Sequence, residues 1–303
     1  MPYTVPVSRP RVAITVGDPA GIGPEIAAKA AEDPRVTAVC EPVLFAPPPD
    51  QTFRAGLVSA ESGRAAYDVI VRAVRAASAG EVDAIATAPI SKLAFARAGL
   101  RWKGHTDLLA HLCDAAPVAM LFHAPKLIVV LATVHVPLAE VPKRLTKSGL
   151  LETILLAASW LPRFGFARPR LAVAGLNPHA GEDGVLGSED ESVIRPAVAE
   201  ASRHGVHVSG PWPADTVFVR ASRGEFDAVI ACYHDQGLIP VKLLSFGQAV
   251  NVTIGLPIIR TSVDHGTAFD IAGQNIADPG SMIEAVRLAA RLAGDSSGHS
   301  DRV

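Results

Sequence analysis

Residues 11–25 read RVAITVGDPAGIGPE, an apolar run that leads into a glycine-rich turn and then into an Ala-rich segment. The apolar run predicts a buried strand over 11–16, and the residues after the turn predict a helix over 23–31. A strand, a turn and a helix in this order are the repeating unit of α/β folds with parallel sheets. The turn lacks the G-x-G-x-x-G dinucleotide fingerprint and is followed by no P-loop lysine. It is either a tight connection or an anion-binding loop at a helix N-terminus.

The same alternation of short apolar runs and longer Ala-rich segments continues along the chain. Further strands are predicted over 82–87, 127–133, 170–175 and 228–231. Further helices are predicted over 63–79, 146–161, 189–204 and 281–292. This order predicts an α/β fold with mostly parallel sheets and helices on both faces.

Composition limits the class of protein. The chain has 303 residues, of which 49% are hydrophobic, and a formal net charge of −2. This length suits one large or two ordinary α/β domains, and the nearly balanced charge indicates no nucleic-acid-binding surface. The cysteines Cys40, Cys113 and Cys232 are scattered, as expected for free thiols in a reducing cytoplasm. Residues 1–10 lack the apolar core of a signal peptide, and the most apolar stretch, 127–134, is far shorter than the ~20 residues of a membrane helix. We therefore expect a cytoplasmic protein.

Three histidines occur in similar local sequences, which are TVHVP around His135, NPHAG around His179 and YHDQG around His234. Each adjoins an apolar run and precedes Gly or Pro, the pattern expected where a parallel strand ends at a ligand crevice. Three neutral imidazoles suit one divalent transition metal with positions left open for a substrate. Histidine ligands favour Zn, Co or Ni, whereas an oxygen-rich open site also admits Mg or Mn. For any one of them taken alone, a surface histidine is the alternative.

Two further segments carry groups that bind anions. In the apolar stretch 233–260, the cations Lys242 and Arg260 with the amide of Asn251 suit a small anionic substrate. The segment GHTD at 104–107 begins another predicted helix.

The residues of this GHTD segment have alternative roles. Thr106 or Asp107 is available as the N-cap of the helix. Alternatively, His105 and Thr106 donate hydrogen bonds to a phosphate or carboxylate at the helix N-terminus.

Near the other end of the chain, segment 264–273, DHGTAFDIAG, contains two glycines, a threonine and two carboxylates before the last predicted helix. We favour a cofactor loop there over a fourth metal ligand at His265.

Several of these segments together resemble the 4-hydroxythreonine-4-phosphate dehydrogenase family of the pyridoxal phosphate pathway. They are 14–25, 104–107, 133–138, 175–190, 210–216 and 233–273, in collinear order within residues 11–292, and 250–273 is the most specific block. The resemblance implies an isocitrate/isopropylmalate dehydrogenase-like fold and a homodimer with its active site at the subunit interface. We expect a larger lobe of residues 1–115 with 265–303, and a second lobe of residues 116–264 with the dimer contacts.

The resemblance also implies roles for individual residues. The implied metal ligands, completed across two subunits, are His135, His179 and His234. The implied substrate-binding residues are His105, Thr106, Lys242, Asn251 and Arg260. By similarity to the loop that seats the adenosine end of NAD in isopropylmalate-type dehydrogenases, the cofactor residues are Gly266, Thr267 and Asp270. The general base stays open among Lys242, Asp215 and Asp235.

The implied reaction is oxidation of the C3 hydroxyl of 4-phosphooxy-L-threonine by NAD or NADP with one divalent metal ion, Zn, Mg or Co. Loss of CO2 then gives 3-amino-2-oxopropyl phosphate for pyridoxal phosphate biosynthesis. D-threonate or D-erythronate 4-phosphate is the alternative substrate, because the motifs do not separate an amino group from a hydroxyl at C2. The phosphate-type pattern at 104–106 and 251–260 argues against relatives that oxidise an aromatic dihydrodiol. Region 43–62 looks short for the family.

Two alternatives lie outside this enzyme class. The first is a metal-dependent hydrolase or aldolase that uses the three histidines without NAD. The second is a non-catalytic binding protein, which the many polar groups in apolar surroundings make the less favoured of the two.

Overall fold

The computed structural model describes residues 9–297, with the side chains of residues 9–294. Most of segment 1–10, in which no signal peptide is predicted, lies outside the described residues. The chain divides into two compact units, one of Met1–Asp114 with Leu256–Val303 and one of Ala115–Gly255. The sequence-based division falls at 264/265 instead, so the two divisions place Arg260 in different units.

The strands are short and mostly buried. In chain order they are β1 (Arg11–Thr15), β2 (Glu41–Phe45), β3 (Ala84–Thr87), β4 (Ala119–Ala124), β5 (Leu127–Leu131), β6 (Leu171–Ala174), β7 (Val208–Trp212), β8 (Ala228–Ala231), β9 (Val250–Ile254) and β10 (Arg260–Ser262).

Helices connect most of these strands. They are α1 (Gly23–Glu32), α2 (Pro34–Thr37), α3 (Ala60–Ser78), α4 (Lys92–Arg97), α5 (His105–Leu112), α6 (Val141–Arg144), α7 (Lys147–Trp160), α8 (Arg195–Arg203), α9 (Ala214–Ser222), α10 (His234–Ser245) and α11 (Gly280–Ser297). Short 3-10 segments occur at Leu138–Glu140, Leu161–Phe164 and Pro178–Gly184, and a π-helical turn, Asp190–Ile194, leads into α8. No helix in the described part of the chain combines the length and apolar character needed to span a lipid bilayer.

The sheet of the first unit is parallel, with strand order β2-β1-β3-β10. Its central strands β1 and β3 are mostly apolar and are buried apart from the exposed Arg11, because helices cover both faces of a parallel sheet. Serine side chains start two of these helices, since Ser59 accepts from the amide of Ser62 at 3.0 Å and Ser91 from that of Ala94 at 3.1 Å. The register brings the last residues of β1, β3 and β10 side by side at one edge of the sheet.

The sheet of the second unit has strand order β9-β4-β5-β8-β6-β7. Strand β4 is antiparallel to both of its neighbours, and the other pairs are parallel. Its core includes Val129, Leu131, Ala172, Val229 and Val241. Because β5, β8 and β6 are adjacent and parallel, their carboxyl ends meet at the same edge of the sheet. His135, His234 and His179 follow these three strands in turn.

The predicted α/β class is confirmed. All five predicted strands are present as β1, β3, β5, β6 and β8, and the predicted helices are present with ends shifted by a few residues. The predicted helix over 189–204 is divided, because its first turn is π-helical and only Arg195–Arg203 is α-helical. Three of the unpredicted strands lack a continuous apolar run: β7 contains Gly210 and Pro211, β9 contains Asn251, and β10 begins at Arg260. Strand β4 was missed although its first four residues are apolar.

Candidate active site

A pocket at the sheet edge of the second unit contains two of the three histidines. The ring centroids of His135 and His234 lie 5.6 Å apart. The pocket measures about 430 Å³, and its remaining lining residues are Thr133, Val136, Leu138, Val141, Tyr233 and Asp235. His234 is the first residue of α10, whereas His135 lies in the loop after β5. The structure thus brings together two imidazoles that the sequence places about a hundred residues apart.

A carboxylate orients one of these imidazoles. Nδ1 of His234 lies 2.7 Å from Oδ1 of Asp235. Because an ionised carboxylate only accepts hydrogen bonds, Nδ1 carries the proton in this pair. The lone pair of His234 Nε2 is then free to face a cation, which is the tautomer that metal-binding histidines adopt.

Two of the histidines have strained backbones. His135 has φ 52° and His179 has φ 54°, both in the left-handed region that non-glycine residues seldom occupy. Strain of this kind persists only where the surrounding structure holds it, and it concentrates at functional sites. His179 begins a turn in which every residue from 179 to 183 is left-handed.

The turn that carries His179 is held by a buried carboxylate. Asp190 is fully buried. Its Oδ1 accepts from the amide of Leu176 at 2.9 Å, and its Oδ2 accepts from the amide and Nδ2 of Asn177 at 3.1 and 2.9 Å. Gly175 and Gly181 let this carboxylate approach, because a Cβ atom on either would lie 2.9 or 3.2 Å from an Asp190 atom.

The third histidine does not join the other two within the described chain. No group of three or more His, Cys, Asp or Glu side chains among the described residues lies close enough together to hold a metal ion. His179 is absent from the lining of the pocket that contains His135 and His234. The completion of the ligand set by a second subunit remains a prediction.

In the first unit, the charge of the buried Arg260 acts on the half-buried His105. Arg260 is 1% exposed, and its Nε and Nη2 donate to Thr87 Oγ1 at 3.2 and 2.7 Å. Burial lowers the pKa of Arg260 to about 9, so the guanidinium stays charged at neutral pH. Burial first, and then the charge of Arg260, hold the pKa of His105 well below its ordinary value.

The neutral imidazole of His105 has an unsatisfied nitrogen. Its Nε2 is buried and has no hydrogen-bond partner. Since buried polar atoms in folded proteins are nearly always bonded, an atom of this kind calls for a ligand. A neutral imidazole donor beside a buried guanidinium suits an anion such as a phosphate or carboxylate.

The start of α5 differs from the predicted capping. Neither Thr106 nor Asp107 is the N-cap, because the helix begins at His105 and Gly104 takes the cap position. Asp107, at the third helical position, accepts from the amides of Lys103 and Gly104 at 2.5 and 2.8 Å. Helix α5 begins earlier than predicted because the Asp107 carboxylate accepts from these preceding amides. The partly exposed hydroxyl of Thr106 therefore takes no part in capping the helix.

The other predicted residues of the second unit are dispersed. Lys242 lies on the same helix as His234. Asn251 lies on β9, and its buried Oδ1 has no hydrogen-bond partner. Asp215 is exposed in the first turn of α9 and does not line the histidine pocket, whereas Asp235 does.

The predicted cofactor loop in the first unit is anchored to α1. The carbonyl of Thr267 accepts from the amide of Ile22 at 3.0 Å. Farther along, the amide of Ala277 donates to Glu25 Oε1 at 2.7 Å. Between these anchors Asp270 is exposed. Directly before the first anchor, a Cβ atom on the exposed Gly266 would meet nothing within 4 Å. Packing within the unit therefore leaves room for a ligand to approach the backbone at Gly266.

The glycine-rich turn at 17–25 is a structural connection. The amides of Asp18, Ala20, Gly21 and Ile22 all donate to acceptors within the unit. Gly17 has φ 65°, and a Cβ atom there would lie 2.2 Å from the carbonyl oxygen of Pro89. Of the two predicted roles for this segment, the structure supports the tight turn, because these amides are not available to an anion.

Three polar residues near the histidines had no predicted role: Thr133, Asp190 and Gln236. Each makes side-chain hydrogen bonds to the backbone at a strand end or at the loop that follows it. A polar side chain that follows an apolar strand has to be satisfied once it is buried. From the sequence, this rule predicts that the Thr133 hydroxyl makes a hydrogen bond once it is buried. It does not predict which residue accepts that bond.

Known proteins are similar in sequence to this chain over most of its length. A family profile described as "Pyridoxal phosphate biosynthetic protein PdxA" matches residues 18–289. The 4-hydroxythreonine-4-phosphate dehydrogenase of Desulforapulum autotrophicum is 44% identical over 94% of this chain and 96% of that protein. The D-threonate 4-phosphate dehydrogenase of Cupriavidus necator is 41% identical over 94% of this chain and 97% of that protein.

Solved structures share the fold. The crystal structure of 4-hydroxythreonine-4-phosphate dehydrogenase from Klebsiella pneumoniae superposes with a TM-score of 0.86 at 41% identity, covering 94% of this chain and 98% of that chain. A β-decarboxylating dehydrogenase from Thermococcus kodakarensis matches with a TM-score of 0.53 at 17% identity, covering 91% of this chain and 81% of that chain. This distant likeness concerns the fold alone, and it agrees with the predicted isocitrate/isopropylmalate dehydrogenase-like class.

Proposed function

Because the chain belongs to the pyridoxal phosphate biosynthetic protein PdxA family, we propose that it is a 4-hydroxythreonine-4-phosphate dehydrogenase. It oxidises the C3 hydroxyl of 4-phosphooxy-L-threonine with NAD or NADP and releases CO2 and 3-amino-2-oxopropyl phosphate, for pyridoxal phosphate biosynthesis. The observation that carries the proposal is the family match over residues 18–289, which contains every proposed site residue. The reaction is an NAD(P)-dependent oxidation of a CH–OH group, consistent with relatives named dehydrogenases.

We propose that His135, His179 and His234 hold one divalent metal ion, Zn, Co or Mg. The neighbouring rings of His135 and His234 suit the binding of one cation. The contact of Asp235 with His234 Nδ1 leaves Nε2 of His234 available to bind the metal. When bound, the metal supplies Lewis-acid polarisation of the reacting hydroxyl, and NAD or NADP takes up the hydride. Asp235 holds the His234 ring in its ligand tautomer, so we assign it an orienting role and keep Lys242 and Asp215 as candidates for the general base.

Substrate anchoring is proposed for His105, Thr106 and Arg260 in the first unit. The buried charge of Arg260 and the unpartnered Nε2 of His105 favour binding of an anionic group, either the phosphate or the carboxylate. Lys242 and Asn251 are further proposed substrate contacts, and the unpartnered Oδ1 of Asn251 accepts a hydrogen bond from the substrate. Such contacts fix the reacting carbon in one orientation, which lowers the entropic part of the barrier.

For the cofactor, we propose that Gly266, Thr267 and Asp270 bind the nicotinamide dinucleotide. The open space above Gly266 and the anchoring of the loop on α1 fit a backbone surface that a ligand approaches closely.

We propose that the chain functions as a homodimer. Ile239, Leu243 and Phe246 recur at intervals of four and three residues on α10 and its C-cap, and they are 65%, 83% and 85% exposed. Such a stripe of large apolar side chains on one helix face is typical of an interface. Leu138, which lines the histidine pocket, is 66% exposed. A second subunit over this surface would cover a face next to the proposed metal ligands.

The substrate is tested with a panel. We expect kcat/KM for 4-phosphooxy-L-threonine to exceed that for D-threonate 4-phosphate by more than about tenfold, because an amino group at C2 changes both charge and hydrogen bonding. Reduced-nicotinamide absorbance is followed with NAD and with NADP, in the presence of Zn2+, Co2+ or Mg2+. The opposite preference would assign the chain to D-threonate 4-phosphate oxidation, the activity named for the Cupriavidus necator relative. No reduced cofactor with any substrate would favour a metal-dependent hydrolase or aldolase.

The proposed role of Arg260 is tested with Arg260→Lys. Both Nε and Nη2 of Arg260 donate to Thr87 Oγ1, which fixes the orientation of the planar guanidinium. A lysine ammonium cannot make the same pair of hydrogen bonds. We expect kcat/KM to fall by about 100-fold, mainly through KM, since an Arg–anion contact contributes a few kcal/mol. Arg195→Lys, at an exposed ion pair with Glu191, is the control and should retain activity. An unchanged KM in Arg260→Lys would contradict the anchoring role.

A further inference from the structure

The backbone of Cys232, directly after β8, is held by two polar side chains. Its N–H donates to Gln236 Oε1 at 2.6 Å, and its carbonyl accepts from Thr133 Oγ1 at 2.7 Å. Cys232 is fully buried and Thr133 is 9% exposed, so the hydrogen bond between them is shielded from water, and the bond to the half-buried Gln236 is partly shielded. In such surroundings a hydrogen bond is stronger and its loss costs more than at the surface.

The same glutamine reaches a third strand. Nε2 of Gln236 donates to the carbonyl of Gly175, the residue directly after β6, at 2.7 Å. One amide therefore ties the end of β8 to the end of β6, while Thr133 ties the end of β5 to the end of β8. We call this set of hydrogen bonds, made by Thr133 and Gln236 on Cys232 and Gly175, the strand-end clamp.

Each strand end in the clamp leads to a histidine. Thr133 precedes His135 by two residues, and Cys232 precedes His234 by two residues. Gly175 opens the segment that reaches His179, where the carboxylate of Asp190 fixes the intervening amides. The clamp thus joins the three histidine-bearing segments to one another, in addition to the backbone hydrogen bonds between the strands.

We propose that Thr133 and Gln236 are positioning residues that preorganise His135, His234 and His179 for metal binding. The inference rests on the proposed function, in which these three histidines are the metal ligands. Residues behind a ligand orient it, and their loss commonly weakens metal affinity by 10–100-fold. Without the clamp, the ligand-bearing segments must be ordered when the metal binds, and that ordering cost appears as a higher Kd.

A purely structural role for Gln236 makes a different prediction. Gln236 is the third residue of α10, and a glutamine there commonly reaches back to cap the helix N-terminus. Capping needs only the acceptor Oε1, whereas the bond from Nε2 to Gly175 joins a separate strand. Gln236→Glu keeps the acceptor and loses the donor, so it separates the two roles.

The test is a Co2+ titration of the purified full-length chain followed by visible absorption, with Tm measured on the same samples. For Thr133→Val and Gln236→Glu we expect the Kd for Co2+ to rise about 10–100-fold. Thr133→Ser keeps the hydroxyl and should stay within about threefold of the unmodified chain. Thr153→Val is the matched control, because Thr153 is also buried in the second unit and donates to a backbone carbonyl, Gly149 at 2.9 Å. It should lower Tm and leave the Kd unchanged.

The outcomes are distinguishable. Wild-type Co2+ affinity in folded Thr133→Val and Gln236→Glu would overturn the inference, as would a Kd for Thr133→Ser as high as that for Thr133→Val. If Gln236→Glu does not fold, the two Thr133 variants decide alone. An unmodified chain that takes up no Co2+ would instead overturn the proposed metal site.

Discussion

A His234→Ala variant is expected to lose its bound divalent metal and at least about 1000-fold in kcat/KM. The estimate follows because metal polarisation contributes several kcal/mol to the barrier and each 1.4 kcal/mol is about a factor of ten. The side chain of His234 is 41% exposed, so its removal leaves no core cavity and Tm should change little. Metal content by elemental analysis, kinetics and thermal unfolding are measured on one preparation.

The matched control for this variant is His204→Ala. His204 is exposed at the C-cap of α8 in the same unit, and the variant should retain both metal and turnover. A His234→Ala protein that keeps its metal, or that keeps activity at the level of the control, would contradict the assignment of His234 as a ligand.

A Leu243→Glu/Phe246→Glu double variant is expected to become a monomer and to lose metal and activity together. Both residues are more than 80% exposed, at 83% and 85%, so the substitution leaves the fold of the unit intact. Burying two carboxylates in an apolar interface weakens dimer association by several kcal/mol. At assay concentrations the active dimer is then scarce, and we expect turnover to fall at least about 100-fold. Sedimentation velocity gives the mass, circular dichroism the fold, and Co2+ absorption the metal.

Leu93→Glu is the control for this experiment. Leu93 is another exposed leucine, at 54%, on α4 of the first unit, outside the proposed interface. It should leave mass, metal and activity unchanged. A double variant that remains dimeric would place the interface elsewhere, and an active monomer with bound metal would remove the need for a second subunit.

The fold was predictable where a strand is a continuous apolar run. Strands β1, β3, β5, β6 and β8 are such runs, because a strand buried on both faces of a sheet needs apolar side chains throughout. Strands at the edges or beside the site carry exposed or polar residues and show no such pattern. Arg260 illustrates this, since it begins β10 and is almost fully buried although it is charged.

The candidate site was predictable in part. Local sequence alone pointed to histidines at strand ends and to candidate anion-binding residues, and the resemblance gave both sets their roles. Local sequence also suggested the wrong cap for α5, because the reach of Asp107 back to Gly104 depends on how the preceding loop turns. The left-handed backbone of His135 and His179 was not visible in advance, since residues other than glycine rarely adopt it and no residue type announces it.

By itself, the amino-acid sequence determined the order of strands and helices in this protein, the apolar strands of its sheets and the histidines that follow three of them. The tertiary structure decided which of these strands are neighbours and therefore which residues meet. Gln236 bonds to a carbonyl 61 residues away, and Thr133 bonds to one 99 residues away. The spacing of apolar residues predicts the secondary structure and the buried face of a segment from neighbouring residues only. Contacts between distant segments depend on strand order, which becomes defined only when the core packs.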